Sequence, residues 1–271
     1  VNISGTTNVG GFAGCVNFNN SKSEDERTVN LNGFELKNTV EIKGGVNTGG
    51  LIGFVKNAII KGQNTFDYNE GSGLTIPKFS RFTPNFSGKI IAANPSSGSC
   101  FGGAIGKAYN SSIKGICVNS IIELTNLDSI GGIVGHIEST LQSSKIIEDC
   151  TYKGELIGNK NIGGIVGIKT KNGQILDCIN YGIISAKENV GGVLGKLCYE
   201  NINDGGIFVN YCVNTGAVTG SGADTGGIVG YMQGENDINL YVSISHSGNY
   251  GKITGGDTGV GGILGRCNTR R

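Results

Sequence analysis

Residues of the types that perform catalysis are few in this chain of 271 residues. Its two histidines, His136 and His246, fit neither the His-x-x-x-His nor the His-Glu-x-x-His pattern of a zinc-binding helix. With only two imidazoles in the chain, a Ser-His-Asp or Cys-His nucleophilic site is not expected. We therefore predict strand positions for both histidines, and we predict that the chain uses no metal ion and no cofactor.

Carboxylates offer another route to catalysis, because enzymes that cleave glycosidic bonds work with paired acidic residues. The nearest candidates are Glu148 with Asp149, Asp177 and Asp204. The first three adjoin two recurring cysteines, so they could form an acidic strip. A solvated acidic surface explains the same residues more simply. A polysaccharide lyase or hydrolase is therefore the alternative hypothesis, and the leading one is that the chain is not an enzyme.

Glycine indicates which elements must position these residues, because it fills 49 of the 271 positions. Collagen is excluded, since it needs glycine at every third position and abundant proline, and the chain has 3 prolines. A helical protein is also excluded, because each glycine within a helix costs about 1 kcal/mol relative to alanine. A flexible linker would not carry 37% hydrophobic residues. The glycines should therefore occupy recurring backbone positions.

One motif, Gly-Gly followed by two mostly large apolar residues and a third glycine, recurs eight times. The copies are residues 10–14, 49–53, 102–106, 131–135, 163–167, 191–195, 226–230 and 261–265. A polar turn precedes most copies, as in Asn161-Ile162, and asparagine tolerates the positive φ that tight turns require. A second motif, Cys-x-Asn-x-Gly-x-Ile, lies between copies, as in residues 178–184.

Short β-branched stretches separated by glycine and asparagine turns predict strands, and no sustained 3.6-residue period indicates helices. A unit of about 30 residues cannot bury an apolar face alone, but stacked units can. We predict an all-β fold, a β-solenoid, drawn as a right-handed, triangular parallel β-helix of about seven coils. Residues 1–271 would form a single segment of a longer repeat protein, because both ends fall inside a repeat.

Recurring polar positions should stack into columns along such a solenoid. The predicted interior cysteine column is Cys117, Cys150, Cys178 and Cys212. The predicted asparagine column, in which each amide bonds its neighbour, is Asn119, Asn180, Asn214 and Asn249. Stacked cysteines lie close enough for disulfides, but parallel side chains suit that bond poorly. Reduced cysteines packed as small hydrophobes are the favoured interpretation.

Two insertions interrupt the repeat, at residues 17–32 and 55–100. The first is polar and is expected to be a solvated loop. The second contains all three prolines and many aromatic residues. Insertions in solenoids map to loops on one face, often the binding face, although aromatic residues can simply pack onto the rod. The candidate binding residues are Phe66, Tyr68, Lys78, Phe79, Arg81, Phe82 and Phe86.

The two motifs together resemble the GLUG-motif repeats, and the resemblance spans nearly the whole chain. Gly-Gly-Ile-Val-Gly at 131–135 and 163–167, with Cys-Ile-Asn-Tyr-Gly-Ile-Ile at 178–184, carries it. Such repeats occur in large secreted and surface proteins, including adhesins and the non-catalytic regions of immunoglobulin A-specific metallopeptidases. The resemblance implies a β-solenoid with an extracellular stalk or adhesin role, and it supplies no catalytic residues.

These observations predict a non-enzymatic solenoid at the cell surface or outside the cell, serving as the stalk or adhesive region of a larger protein. Its partners would be a surface protein or glycan of a host or neighbouring cell, and further repeats of the same chain. A net charge of +1 without a basic stripe argues against nucleic acid. No apolar run is long enough to insert into a membrane. A self-assembling filament is the other alternative, because open sheet edges template pairing.

Overall fold

The structure is a computed structural model, and it describes residues 2–63, 66–67, 78–79, 84–140, 145–199, 207–234, 242–256 and 258–269. The chain passes repeatedly through four parallel sheets, which we name A, B, C and D in the order of passage. Sheets B and C are crossed eight times and sheet D seven times. The predicted β-solenoid of about seven coils is therefore confirmed.

Each coil contributes short strands to these four sheets. The strands of sheet A are Asn2–Ser4, Leu36–Gly44, Phe86–Ala92, Cys117–Val118, Ile121–Glu123, Thr151–Tyr152, Glu155–Ile157, Ile179–Asn180, Ile183–Ala186, Val213–Asn214, Val218–Gly220, Gly248–Asn249 and Ile253–Thr254. The strands of sheet B are Thr7–Gly10, Val46–Gly49, Phe101–Gly102, Ile130–Gly131, Lys160–Gly163, Glu188–Gly191, Thr225–Gly226 and Val260–Gly261. The strands of sheet C are Ala13–Asn17, Ile52–Lys56, Ile105–Tyr109, Val134–Ser139, Val166–Lys171, Leu194–Tyr199, Val229–Gly234 and Leu264–Thr269. The strands of sheet D are Thr28–Asn30, Ile59–Lys61, Ser112–Lys114, Lys145–Glu148, Gly173–Leu176, Ile207–Asn210 and Val242–Ser245.

Each coil contributes strands to four sheets, one more than the three sides of the triangular cross-section predicted from the sequence, which stays a prediction. The additional division lies between sheets B and C, where the Gly-Gly motif interrupts the ladder. Sheet A is crossed twice in most coils, with a short break at positions such as Tyr181-Gly182. The right-handed winding stays a prediction.

The Gly-Gly motif forms the corner between sheets B and C. Its first glycine ends a strand of sheet B, as Gly163 does, and its second apolar residue begins a strand of sheet C, as Val166 does. The amides of Ile165 and Val166 both donate to the carbonyl of Val193 in the next coil, at 3.0 and 2.9 Å. Both side chains are fully buried. Two neighbouring residues can point inward because the backbone turns between them, which a flat strand does not allow.

This corner admits only glycine because successive coils approach closely there. A Cβ on Gly163 would collide with the carbonyl of Val166 in its own coil and lie 2.6 Å from the amide nitrogen of Gly195 in the next coil. One on Gly167 would lie 2.6 Å from the carbonyl oxygen of Gly135 in the preceding coil. None of the motif glycines has a positive φ. Backbone contact, rather than backbone conformation, therefore requires glycine in the motif: within the corner for the first glycine, and between coils for the other two.

Positive φ occurs two residues before the Gly-Gly pair, in the polar turn that the sequence predicts. Seven of the eight copies have it, at Asn8, Asn47, Ser129, Asn161, Asn189, Asp224 and Gly259, with φ between 49° and 68°. The amides of this turn also stack: Asn47 donates to Asn8 at 2.9 Å, and Asn189 donates to Asn161 at 2.7 Å. Side chains that tolerate the left-handed region thus also join consecutive coils.

Both predicted insertions contain regular strands of the solenoid. Residues 17–32 include Thr28–Asn30, so their irregular part is residues 18–27, with the 3-10 turn Asp25–Arg27. Residues 55–100 include a strand of sheet D and one of sheet A, so the extra residues lie mainly at 62–85. Within this stretch Phe66–Asp67 pairs antiparallel with Lys78–Phe79. Within the described ranges no helix has the length and apolar character to span a membrane.

Candidate functional site

Three of the predicted cysteines share one interior column. The amide of Ile179 donates to the carbonyl of Cys150 at 3.0 Å, and that of Val213 donates to Cys178 at 2.9 Å. Cys212 follows in the next coil, and all three side chains are fully buried. None of the eight cysteines, all of which the structure describes, forms a disulfide.

Each thiol of the column closes the turn that precedes it. The Sγ of Cys150, Cys178 and Cys212 donates to the carbonyl two residues earlier, at 3.2, 3.0 and 3.3 Å. Ser247 makes the same bond through Oγ at 2.9 Å, which explains how serine replaces cysteine in the last copy. Burial raises the pKa of the Cys178 thiol well above its usual range, so Cys178 carries no reactive thiolate.

Cys117 lies one position out of register with this column. It pairs with Thr151, while Ile116 occupies the level of Cys150, because the amide of Thr151 donates to the Ile116 carbonyl at 2.9 Å. Cys117 is nevertheless fully buried. The predicted four-cysteine column therefore contains Cys150, Cys178 and Cys212, with isoleucine in place of the first member.

Native thiol reactivity should follow this burial. We expect a thiol reagent to modify the exposed Cys15 and Cys267 rapidly and to spare Cys150, Cys178 and Cys212 until the solenoid unfolds. Peptide mapping by mass spectrometry after brief labelling would measure the modified fraction of each cysteine, and labelling in denaturant gives the reference for full modification. Rapid native labelling of Cys178 would contradict the closed column.

Asparagine forms a buried amide ladder two residues beyond the cysteines. Nδ2 of Asn180 donates to Oδ1 of Asn214 at 2.7 Å, and Nδ2 of Asn214 donates to Oδ1 of Asn249 at 2.7 Å. Each Nδ2 also donates to the carbonyl two residues on, as Asn214 does to Gly216 at 2.9 Å. The ladder therefore connects coils and closes a turn within each coil.

Asn119 stands outside the ladder because its repeat copy is shifted by one residue. Val118 pairs with Tyr152, which in turn pairs with Asn180, so Val118 occupies the ladder level. Side chains alternate between the two faces of a strand, so this shift turns Asn119 outward, where it is exposed. Tyr152 fills the ladder level of its own coil and donates from Oη to the carbonyl of Ser120 at 2.7 Å.

The predicted binding residues at 66–86 do not form one described site. Phe86 is fully buried in sheet A, paired with Val118, and belongs to the core rather than to a binding loop. Phe86, Val118 and Tyr152 occupy the same interior column in three consecutive coils, so Phe86 holds a strand position in the core. Phe66, Lys78 and Phe79 lie in the antiparallel pair. Tyr68, Arg81 and Phe82 lie outside the described residues.

The structure places two of the carboxylate candidates, Glu148 and Asp149, around one ammonium group, and Asp177 in the next coil. Nζ of Lys114 lies 3.1 Å from Oε2 of Glu148 and 3.4 Å from Oδ2 of Asp149. Asp149 and Asp177 occupy equivalent turn positions in consecutive coils, with φ of 54° and 52°. Asp204, the fourth candidate, lies outside the described residues. We call Lys114, Glu148, Asp149 and Asp177 the acidic strip.

A groove of about 340 Å³ adjoins the acidic strip. It runs along sheet D beside the 3-10 turn Asp25–Arg27, so the first insertion forms one wall. Its charged lining is Glu24, Arg27, Lys61, Lys114 and Glu148. Arg27 also anchors the turn by donating from Nη1 to the carbonyl of Asn57 at 3.5 Å. Both signs of charge line this groove, which therefore has no excess of free carboxylates.

Burial, followed by the opposing charge of Lys114 and the like charges of Glu148 and Asp177, sets the pKa of Asp149. The net effect raises the pKa above its usual value, because burial and the two like charges outweigh the opposing charge of Lys114. Although partial burial lowers the pKa of Lys114, its hydrogen bond to Glu148 and the charge of Asp149 raise it. Lys114 therefore stays charged near pH 7, beside a carboxyl group whose pKa is raised.

Asp149→Asn should stabilise the solenoid at neutral pH by a small amount. The folded state binds the Asp149 proton more tightly than the unfolded state. In the unmutated chain, the stability that this proton contributes is present below the unfolded pKa and is lost as pH rises through the folded pKa. Asparagine keeps the left-handed backbone and removes the charge. Urea midpoints at pH 7 and pH 3 would measure the difference, which should shrink in acid. Equal shifts at both pH values would contradict the assignment.

Among the described residues, the contacts of the two histidines are a threonine hydroxyl and a tyrosine ring, and neither contact is with a carboxylate. Nε2 of His136 lies 3.1 Å from Oγ1 of Thr170. Burial, and then the neighbouring Lys107, lower the pKa of His136 to about 4, so it is neutral near pH 7. His246 has φ of 48° and stacks on Tyr211 with ring centroids 4.7 Å apart. It occupies the turn before Ser247, equivalent to Asp149 and Asp177.

Sequence reasoning missed Lys169, which lies fully buried in the core of sheet C. It pairs with Ile137 and Leu197, at a level that is otherwise apolar. Its ammonium donates to the carbonyls of Lys171, at 3.0 Å, and Asn172. Lys171 has a positive φ of 62°, so Lys169 closes the turn that leaves sheet C. No sequence signal separates this lysine from those on the surface.

No group of three or more histidine, cysteine or acidic residues suited to hold a metal ion occurs in the part of the chain that the structure describes. Comparisons with protein-family models, with curated proteins and with solved structures find no match to this chain.

Proposed function

We propose that the chain is a non-enzymatic, extracellular β-solenoid that serves as the stalk or binding region of a cell-surface or secreted protein. The observation that supports it best is the continuity of the ladders. Sheets B and C each join eight successive strands in parallel register. The interior of the solenoid is filled by apolar side chains, by the cysteines that close turns and by the asparagines of the amide ladder. Such a structure resists bending and presents its outer faces at fixed spacing.

An extracellular location is the part of this proposal that can be tested most directly. Antibodies raised against the folded chain should label intact producing cells, or detect the protein in their medium. An antibody against a cytoplasmic protein of the same cells gives the control for membrane integrity. Labelling that appears only after permeabilisation would overturn the proposal.

A polysaccharide lyase or hydrolase remains the second candidate, and the acidic strip favours it. Glu148 lines a groove, and Asp149 beside it has a raised pKa, as a general acid requires. The purified chain and its Glu148→Gln/Asp149→Asn/Asp177→Asn variant would be compared on a glycan panel by reducing-end release. Activity lost in the triple variant supports the enzyme. No activity, or activity that the variant retains, removes the strip from consideration.

Self-assembly into a filament stays a prediction for this chain. Strands at the edge of a sheet offer unpaired backbone groups to another copy. Light scattering of the purified chain over a range of concentrations would test it, because assembly raises the mean mass with concentration. A constant monomer mass would contradict it.

A further inference from the structure

The outer face of sheet C carries two straight columns of side chains, one residue per coil, which we call the C face. The first column contains Lys107, His136, Ile168, Lys196, Tyr231 and Arg266, each paired with the next. The second column, two residues farther along each strand, includes Lys56, Tyr109, Glu138 and Thr170. These side chains point away from the core, because the intervening residues, such as Ala108 and Ile137, are fully buried.

The C face has an excess of positive charge on a chain whose net charge is only +1. Its cations are Lys56, Lys107, Lys196 and Arg266, and its carboxylate among the columns named is Glu138. Glu138 is already bonded to Lys171 at 2.6 Å. Arg266 contacts Asp224 at 2.8 Å.

No ion pair joins Lys56, Lys107 or Lys196 to a carboxylate of the described residues. These three ammonium groups therefore carry uncompensated charge, which an anionic partner would complement.

Aromatic rings alternate with these cations. Nζ of Lys56 lies 5.7 Å from the ring centroid of Tyr109, and Nζ of Lys196 lies 5.5 Å from that of Tyr231. Both pairs join adjacent coils within one column, so each ammonium is held beside a partly exposed tyrosine. A partner that meets both groups needs an anionic substituent next to an apolar surface that can lie on a ring.

The spacing of the cations indicates a sparsely charged polymer. Lys107 and Lys196 are three coils apart in the first column, about 14 Å at about 4.8 Å per coil. Lys196 and Arg266 are two coils apart, about 10 Å. Neutral side chains such as Ile168 lie between them. A single nucleic acid strand carries a phosphate about every 3.4 Å, and would need a more continuous basic stripe.

We propose that the C face binds a linear acidic polysaccharide in which neutral sugars separate the carboxylated or sulfated ones. The polymer lies along the solenoid axis, its anionic groups meet Lys107 and Lys196, and its sugar rings pack on Tyr109 and Tyr231. This assignment rests on the proposed extracellular binding role and names the class of ligand. It uses a different sheet from the acidic strip, so the two sites can be tested separately.

The test is calorimetric titration of the purified chain with a hyaluronan oligosaccharide, which carries one carboxylate per disaccharide. We expect binding that weakens as salt is added. Lys107→Gln/Lys196→Gln should lower the affinity at least tenfold. The matched control is Lys153→Gln/Lys252→Gln, which removes two exposed lysines from sheet A and should leave the affinity unchanged. Circular dichroism and urea midpoints establish that both variants fold.

His136 supplies a second readout, because it lies next to Lys107 on the C face. A bound polyanion should raise the pKa of His136 from about 4, and the resonances of His246, on a turn between other sheets, give the reference for a position that the polymer does not touch. NMR titration of the two imidazoles with and without hyaluronan would measure this.

Dextran and oligothymidylate serve as the neutral and nucleic acid comparators. Any of three results would overturn the proposal. They are no binding to hyaluronan or chondroitin sulfate, an equal loss of affinity in the control variant, and tighter binding to oligothymidylate than to hyaluronan. The proposed cell-surface location is tested by antibody labelling of intact cells. A negative result there is therefore distinguishable from a negative result in the binding experiment with hyaluronan.

Discussion

Gly192→Ala will lower the free energy of unfolding by at least about 3 kcal/mol, the upper range for steric overpacking in a core. A Cβ on Gly192 would collide with the carbonyl of Gly227 in the next coil and lie 2.5 Å from Cγ of Asn214. Neither neighbour can move freely. Gly227 lies in the equivalent corner of the next coil, and Asn214 is held on both sides by the amide ladder. The strain therefore falls on the stack itself.

The chain contains a matched control for this substitution. Gly262 occupies the same motif position in the last copy, has no positive φ, and has open space where its Cβ would stand. Gly262→Ala should change stability by less than about 1 kcal/mol. Urea denaturation followed by circular dichroism would compare the two. Equal midpoints for the two variants would contradict the claim that contact between coils requires the motif glycine.

Asn214→Leu is the second substitution expected to have a large effect, about 3 kcal/mol of destabilisation. Leucine has a similar volume but cannot exchange amide hydrogen bonds. It would leave one Nδ2 hydrogen of Asn180 and the carbonyl of Gly216 without their present partners, in a fully buried environment. The cost arises from those unsatisfied groups rather than from a cavity.

Asn119→Leu gives the comparison for the ladder. Asn119 belongs to a copy of the same motif but is exposed, and its side chain is one register position away. We expect its replacement to shift the unfolding free energy by less than about 0.5 kcal/mol. Denaturation curves of the two variants would be measured under the same conditions. If Asn119→Leu lowers the free energy of unfolding as much as Asn214→Leu does, the register of Cys117–Val118 against Thr151–Tyr152 is wrong.

Much of the fold could be predicted because stacked coils place the same geometric requirements on every repeat. The Gly-Gly motif recurs at the corner between sheets B and C, and asparagine or aspartate occupies most of the non-glycine positions with positive φ. Cys178 with Asn180, and Cys212 with Asn214, show both side-chain columns in the sequence. A requirement that is met eight times leaves a periodic signal that composition and spacing reveal.

Positions at which the repeat is degraded could not be read in the same way. Cys117-Val118-Asn119 looks like a weak copy of the motif, yet it is shifted by one residue. A shift of one reverses which face a side chain takes, and only pairing with Thr151 and Tyr152 shows it. Phe86 resembled a binding residue because it follows a run of aromatic residues, and the sheet places it in the core.

The sequence alone determined the class of structure: parallel strands, glycine corners, amide-bearing turns and about seven coils. Those properties depend on local backbone geometry, which each repeat specifies for itself. The tertiary structure decided which residues share a face. It brought Lys114 to Glu148 and Asp149, it buried Lys169, and it aligned Lys107 with Lys196. Residues about 30 to 90 positions apart become neighbours only when coils stack in register, so contacts of this kind carry the site proposals and leave no mark on local spacing.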